Sequence, residues 1–435
     1  LLPHLPTCYI SFFPFRRPIF AAKNTSLLIG FMLLLLFVFW ISVIGLAHTY
    51  LIYPLFLQWL TRGKRYQHPQ YESETDDWPL VTVVMSVFNE EQVIAKKLDS
   101  LLAQSYPSEQ LQIYLGSDCS TDATNKIVKA YAQQHPNLYF FPFQERGGKP
   151  GTIDKLMLQL QQAHPPASDH LFLLTDANVM LMPDTLKKMA RHFRDPEMAL
   201  VDSNMKSIDM KAEGISLSEN EYISGEVLLK HRESLAWGKM IGPFGGCYLI
   251  RSTHYVPVPP RFLVDDFYIA FKAFEKGGKA INDLEAISLE AVSDDIGEEF
   301  RRKSRISGGN VQNLLTFAHF LWPPFRAIAF AFFSHKVLRW LGPFFIIFAL
   351  VSSGILAFWG NKYYASLFEL QLLVFVFIPL LEYALAKMNI NLNKLRHLRY
   401  FIIMNLALLN GFFKYAKGIK TNVWEPTKRK EGSST

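Results

Sequence analysis

Cysteine is scarce in this sequence: three residues among 435, with no pair in CxxC spacing, namely Cys8, Cys119 and Cys247. This scarcity argues against a disulfide framework and against a zinc site, and it favours a reducing compartment for the folded part of the chain. The glycines of a nicotinamide-binding turn are also missing, because the turn after the first predicted strand reads FNEEQ. ERGGKPGT is not a nucleotide-triphosphatase P-loop, since Phe143 and Pro150 occupy two positions that its pattern specifies.

Charged residues are absent from one long segment near the N-terminus. No Asp, Glu, Lys or Arg occurs between Lys23 and Arg62, which exceeds the roughly 20 apolar residues that a membrane-spanning helix needs. We predict a transmembrane or interfacial helix over residues 27–60, which crosses the bilayer at 27–46 and is broken at Pro54. A cleaved signal peptide is the alternative.

The composition becomes apolar again after residue 309. The segments predicted outside the middle of the chain are an N-terminal segment over 1–26, interfacial helices over 310–335, two transmembrane helices over 336–390, and an interfacial or re-entrant segment with a basic tail over 391–435. The net charge of +7 is concentrated beside apolar runs, as in TRGKRYQH and EPTKRK. The positive-inside rule explains these clusters without nucleic-acid binding. We therefore expect an integral inner (plasma) membrane protein that contacts membrane lipids through its apolar segments. Its middle part is expected to be cytosolic.

The middle of the chain, residues 78–309, alternates strand and helix patterns. The predicted strands cover 80–87, 112–117, 138–143, 171–175, 198–202 and 247–251. The predicted helices cover 91–104, 123–134, 152–162, 185–193 and 216–235. Apolar strands that alternate with helices indicate an α/β domain with a largely parallel sheet covered on both faces. Ligands of such sheets bind at the carboxyl ends of the strands.

Polar residues follow three of these strands. Glu90 comes after the first strand, Asp118 ends the second, and Asp176 and Asn178 follow the fourth in HLFLLTDANV. We expect these side chains to meet at one edge of the sheet, where carboxylates can accept hydrogen bonds from a sugar or a base. Each also has a simpler interpretation, because Asp118 can serve as a turn-former and Asp-x-Asn turns are common.

Further charged residues lie in the loops and helices of the same domain. Lys149 follows two glycines, so it can approach a diphosphate or belong to a surface loop. Asp265 and Asp266 begin a predicted helix, where the roles of helix cap and catalytic base are compatible. Arg302 and Arg305 share one face of a later helix, which suits a diphosphate or lipid headgroups.

The order and placement of these motifs resemble the large inverting family-two glycosyltransferases, which include cellulose, chitin and hyaluronan synthases. The chain is most similar to their smaller bacterial membrane-bound members. The resemblance implies a GT-A fold, which is a Rossmann-like nucleotide-diphospho-sugar transferase domain, with transmembrane helices at both ends. It also implies a nucleotide-sugar donor, usually a UDP-sugar, and Mg²⁺ or Mn²⁺ as cofactor.

The resemblance assigns donor-side roles residue by residue. SVFNE places Glu90 near the ribose or base, and SDCSTD gives Asp118 a contact with uracil. GGK brings Lys149 to the diphosphate. TDAN occupies the position of the metal-binding Asp-x-Asp, with Asp176 as first ligand and Asn178 where the second carboxylate usually stands. An amide oxygen still suits a hard cation.

The acceptor side follows from two further segments. The segment GGCYLIR matches the acceptor-side loop, which contains Gly245, Gly246 and Cys247. VDD places Asp265 on the acceptor side and makes Asp266 the general base that deprotonates the acceptor hydroxyl. Considered as a nucleophile instead, Cys247 has no adjacent base, so a packed small residue is the simpler interpretation.

Two departures from the family pattern concern its Gln-x-x-Arg-Trp segment. Arg302 replaces Gln, Arg305 keeps the Arg, and Ile306 replaces Trp. These changes argue against polymerisation, so we expect single transfer to a lipid-linked or membrane-associated glycan acceptor of the cell envelope. The alternatives are a processive synthase of a short hexosamine exopolysaccharide and a non-catalytic membrane assembly subunit.

Overall fold

The computed structural model describes residues 25–66, 77–208, 215–291, 295–388, 390 and 392–418. The predicted N-terminal segment and most of the basic tail lie outside the described residues. Within the described part, eight strands form one sheet in the order β3-β2-β1-β4-β7-β6-β8-β5. The strands are β1 Leu80–Val87, β2 Leu111–Asp118, β3 Leu138–Phe143, β4 His170–Thr175, β5 Val179–Leu181, β6 Met198–Ile208, β7 Cys247–Arg251 and β8 Lys279–Ala291.

The sheet is mixed rather than wholly parallel. Strands β1 to β4 pair in parallel, whereas β7 runs antiparallel to both β4 and β6, and β5 runs antiparallel to β8. The bounds predicted for β1, β3 and β7 are confirmed. Two strands, β5 and β8, were not predicted. Strand β5 has only three residues, and β8 carries polar residues that interrupt its apolar pattern. Asp283 in β8 is buried because it pairs with His192 at 2.8 Å.

Helices cover both faces of the sheet. Their bounds are α3 Ile94–Leu102, α4 Thr124–Gln134, α5 Gly148–Ala163, α6 Thr185–Ala190, α7 Ser216–Trp237 and α8 Asp265–Glu275. Successive residues of a strand point to opposite faces, so Val84 packs with α5 and α8 in one core, whereas Val83 and Met85 pack with α3 and α6 in the other. The α/β domain is therefore the predicted two-faced layer structure.

The N-terminal apolar segment forms one continuous helix. It consists of α1 Thr25–Ala47, a π-helical turn and α2 Tyr53–Leu60. The 35 residues from Ser26 to Leu60 are long enough and apolar enough to cross a membrane. The predicted break at Pro54 is corrected. The chain stays helical through Pro54, which follows the π-helical turn His48–Ile52, where the regular hydrogen-bond pattern is already interrupted.

The C-terminal half adds further helices. They are α9 Ile296–Thr316, α10 Ala327–Ala331, α11 Leu338–Trp340, α12 Gly342–Phe358, α13 Lys362–Leu372, α14 Ile378–Lys387 and α15 Asn393–Ala416. Residues 362–387 form a second helix of membrane-spanning length, and the segments 327–340 and 342–358, bent by 61°, form a third span if they act as one. The boundary predicted at residue 309 falls inside α9.

Helix α15 lies in the segment predicted over residues 391–435, and it packs along α9. A Cβ at Gly411 would overlap with the backbone of Ser304, so the two helices approach closely there. The hydroxyls of Ser304 and Ser307 donate to backbone carbonyls of α15. These contacts attach α15 to α9, which carries part of the candidate site. Together with the apolar helices α1, α2 and α10 to α14, α15 makes up what we call the membrane side.

Candidate active site

A cavity of about 1230 Å³ lies at the carboxyl ends of the central strands. Nine of the predicted site residues line it: Lys149, Asp176, Asn178, Gly245, Gly246, Asp265, Asp266, Arg302 and Arg305. The cavity continues between α9 and α15 towards the helices of the membrane side, where Tyr50, Trp340 and Phe401 line it. The fold thus gathers most of the predicted residues in one place.

The ammonium group of Lys149 lies among the carboxylates of the cavity. Its Nζ is 2.7 Å from Asp176 Oδ1 and 3.9 Å from Asp265 Oδ2. Burial lowers the pKa of Lys149, but the two carboxylates outweigh burial and raise it above its ordinary value. Lys149 is therefore a fixed positive charge at physiological pH.

Asp266 stands at the N-terminus of α8. Its Oδ1 accepts a hydrogen bond of 2.6 Å from the backbone N–H of Phe267. Burial and the neighbouring carboxylate of Asp265 raise the pKa of Asp266 to about 7. A carboxyl group with a pKa near neutrality is suited to accept a proton and to release it again.

Gly245, the first glycine of the GGCYLIR segment, lets the backbone approach Asp266. Gly245 has φ +79°, and a Cβ there would overlap with Asp266 Oδ2. The carbonyl oxygen of Gly246 accepts hydrogen bonds from the backbone N–H of Asp176 at 3.0 Å and from the hydroxyl of Thr175 at 2.9 Å. This loop therefore joins the turn of Asp176 to the carboxylate of Asp266.

Cys247, which sequence analysis grouped with these glycines, lies in the core instead. Its side chain is fully buried in β7, and burial raises the pKa of its thiol to about 11. A thiol in this state is no nucleophile. Its side chain packs in the core with Val83 and Met85 and does not line the cavity, so its acceptor-side assignment stays a prediction.

Asp118 and Glu90 are buried at the ends of β2 and β1. The carboxylate of Asp118 accepts from the backbone N–H groups of Gly147 at 2.6 Å and Gly148 at 3.0 Å, and from Arg146 Nε at 3.2 Å. It therefore fixes the turn that carries Lys149. The backbone N–H of Glu90 donates to the hydroxyl of Thr124 at 2.8 Å. The nucleoside contacts assigned to both residues stay predictions.

Arg302 and Arg305 differ in how their charges are balanced. Arg302 pairs with Glu219 at 2.8 Å and Glu299 at 2.9 Å. Arg305 donates to the carbonyl of Leu263 at 3.3 Å, and no carboxylate of the described chain lies within ion-pair distance of it. Burial lowers the pKa of Arg305, although Asp265 opposes this effect. Arg305 is thus the more available partner for an anion.

The residues of the TDAN turn fit a hard divalent cation in part. Among the described residues, no three His, Cys, Asp or Glu side chains converge as a metal site. Asp176 and Asn178 nevertheless supply oxygen donors, and Lys149 already shows that a cation is held beside Asp176. Mg²⁺ is commonly bound by one or two carboxylates together with substrate phosphates, so a nucleotide-dependent cation suits this donor set.

Lys97 was missed at the sequence level. It is fully buried on α3 and donates to the hydroxyl of Thr175 at 2.8 Å and to the carbonyl of Val179, on either side of the TDAN turn. Burial lowers its pKa to about 8. Its position between Ile94 and Leu101 on the apolar face of α3 was a signal, because a lysine there must find buried acceptors.

The strand ends of this α/β domain thus gather carboxylates and a lysine around one cavity. The family model for "Glycosyl transferase family 2" matches residues 82–254, and that for "Glycosyl transferase family group 2" matches residues 171–387. The chain belongs to glycosyltransferase family 2.

Known proteins extend this comparison. The β-monoglucosyldiacylglycerol synthase of Synechocystis sp. is 27% identical over 127 residues, which cover 29% of this chain and 25% of that protein. The poly-β-1,6-N-acetyl-D-glucosamine synthase of Staphylococcus aureus is 22% identical over 281 residues, which cover 61% of this chain and 65% of that protein. The chain thus spans between a quarter and two thirds of these relatives.

A solved structure confirms the expected GT-A-like fold. A mannosyltransferase from Pyrobaculum calidifontis, in complex with GDP-Man and Mn²⁺, superposes with a TM-score of 0.61 at 20% identity. The alignment covers 87% of this chain and 99% of that chain. At this identity the likeness concerns the fold alone.

The contact between Gly245 and Asp266 generates a prediction. Replacing Gly245 by Ala will displace the Asp266 carboxylate. If Asp266 is a reacting group, release of sugar from a nucleotide-sugar donor will fall about 100-fold, the usual effect of misplacing such a group. Gly277→Ala is the matched control, because Gly277 also has a positive φ, +84°, but its Cβ would meet nothing within 4 Å. Equal losses in the two variants would attribute the effect to backbone strain.

Proposed function

We propose that the protein transfers a sugar, with inversion, from a nucleoside diphosphate sugar to a hydroxyl group of a membrane-associated acceptor. One observation carries this proposal: Lys149, bonded to Asp176 and close to Asp265, lies in the same cavity as Asp266. A charge for the leaving diphosphate and a base for the acceptor are thus available together. A UDP-sugar is the proposed donor.

Asp266 is the proposed general base. It removes the proton of the acceptor hydroxyl while that oxygen forms a bond to the anomeric carbon, and the bond from this carbon to the diphosphate oxygen breaks. Lys149 and Arg305 stabilise the negative charge that develops on the nucleoside diphosphate. Asp176 and Asn178 would hold Mg²⁺ or Mn²⁺, which supplies further positive charge at the diphosphate.

The acceptor is proposed to reach the cavity from the membrane side. The lining there includes Tyr50, Trp340, Phe401, Met404 and Leu408, beside the ion-paired Glu226, Lys336 and Arg339. Two described helices have membrane-spanning length and composition. An acceptor that keeps its apolar part among these helices presents only its hydroxyl to Asp266, which suits a lipid or a lipid-linked glycan in the plasma membrane.

Replacing Asp266 by Asn removes the base and keeps the size of the side chain. We expect transfer to fall by about 10²–10⁴-fold, because general bases contribute that much. Asp154→Asn is the control, since Asp154 is also a carboxyl group whose pKa burial raises, to about 6, but it does not line the cavity. Transfer is measured as nucleotide release in membranes. Unchanged release in Asp266→Asn would favour the non-catalytic subunit.

The raised pKa of Asp266 predicts the pH dependence of kcat/KM. Protonation disables the base, so kcat/KM will fall about tenfold per pH unit below a midpoint near 7 and will level off above it. The profile is measured with wild type and with Asp154→Asn, which should share the midpoint. A midpoint near 4, the ordinary value for Asp, would assign proton removal to another group.

A processive synthase is the second candidate, favoured by the likeness to a poly-β-1,6-N-acetyl-D-glucosamine synthase over 61% of this chain. Ile306 and the pairing of Arg302 with Glu219 and Glu299 favour single transfer instead. We expect chromatography of the products made from donor and membranes to give one added sugar per acceptor. A ladder of long products would replace single transfer by polymerisation.

A further inference from the structure

The orientation of the Asn178 amide determines whether this residue can bind a cation. Asn178 lines the cavity two residues after Asp176. A carboxylate has two equivalent oxygens, but an amide has one oxygen that binds cations and one NH2 group that repels them. Asn178 can therefore assist a cation only if something determines which side of its amide faces the site.

The partner of this amide is Glu290. The Nδ2 of Asn178 donates to Glu290 Oε1 at 2.9 Å. In this contact the NH2 group donates and the carboxyl oxygen accepts. The NH2 group is thereby engaged by Glu290, and the oxygen is the side of the amide that this bond does not use.

The sheet fixes this contact. Strand β5 begins directly after Asn178, and its first residue, Val179, pairs with Glu290 in the antiparallel ladder of β5 and β8. Lys97 donates to the carbonyl of the same Val179 from below the turn. Glu290 is therefore held opposite the TDAN turn by backbone pairing, and its side chain lines the cavity next to the amide.

We propose that Glu290 is a positioning residue, which holds the amide of Asn178 so that its oxygen faces a cation beside Asp176. This inference rests on the proposed function, because the cation belongs to the nucleotide-sugar site. It explains how a chain with Asn in place of the second carboxylate keeps an oxygen ligand there. Residues that orient metal ligands in this way have a large effect on metal affinity.

The test is a double-mutant cycle on Mn²⁺ affinity. The full chain is purified in detergent and saturated with UDP, and bound Mn²⁺ is obtained from the loss of the free-ion electron paramagnetic resonance signal. Glu290→Ala leaves the amide without its acceptor, so we expect about tenfold weaker Mn²⁺ binding. In an Asn178→Ala background the same substitution should have no further effect, because there is no amide left to orient.

Glu290→Gln separates the hydrogen bond from the charge. Gln keeps an oxygen that accepts from Asn178, so Mn²⁺ binding should stay within about twofold of wild type. If the negative charge of Glu290 acted on the ion directly, Glu290→Gln and Glu290→Ala would weaken binding equally, and both would do so in the Asn178→Ala background. Either result overturns the inference, as does unchanged binding in Glu290→Ala.

The wild-type measurement distinguishes this failure from failure of the proposed function. If UDP binds but no Mn²⁺ binds in its presence, both the inference and the proposed metal site are overturned. Absence of UDP binding would contradict the proposed function as a whole. UDP affinity without metal should be the same in all five variants, which checks that each of them is folded.

Discussion

The attraction between Lys149 and the carboxylates of Asp176 and Asp265 is the interaction on which the site depends. These carboxylates come from the end of β4 and the start of α8, almost ninety residues apart in the chain. Without a cation between them, partly buried like charges would repel one another. Asp118 holds the turn of Lys149 through two backbone N–H groups, so one buried carboxylate at the end of β2 positions the cation for the others.

The same domain is joined to the membrane side through charged residues on one face of α7. Glu233 accepts from Tyr53 of α2 and from the backbone N–H of Ile241, both at 2.8 Å, and its carboxylate lies 2.8 Å from His335 Nδ1. One turn earlier, Lys230 bonds to Asp202 at 2.6 Å and lies over the ring of Phe244, next to the glycine loop. Removing one partner of a buried ion pair leaves the other charge uncompensated and strongly destabilises the folded state. This face therefore fixes the loop beside Asp266 relative to the apolar helices.

The sequence was sufficient to predict the strands that carry the site, because β1, β2 and β4 are largely apolar and polar residues end or follow them. Asp176, Lys149 and Asp266 were all predicted, and the structure brings them to one cavity. Contacts between distant segments could not be predicted in this way. No local pattern indicates that Glu290 meets Asn178 or that Glu219 neutralises Arg302, since these pairs depend on the register of β5 and β8 and on the docking of α9 against α7.

A structure of the protein in lipid nanodiscs with UDP and Mn²⁺ is the most direct test of this account. It predicts that the diphosphate lies in the cavity, that Lys149 turns from Asp176 towards the phosphates, and that Asp176 would hold the Mn²⁺. A nucleotide bound outside the cavity, with the ion pair of Lys149 and Asp176 intact, would contradict it.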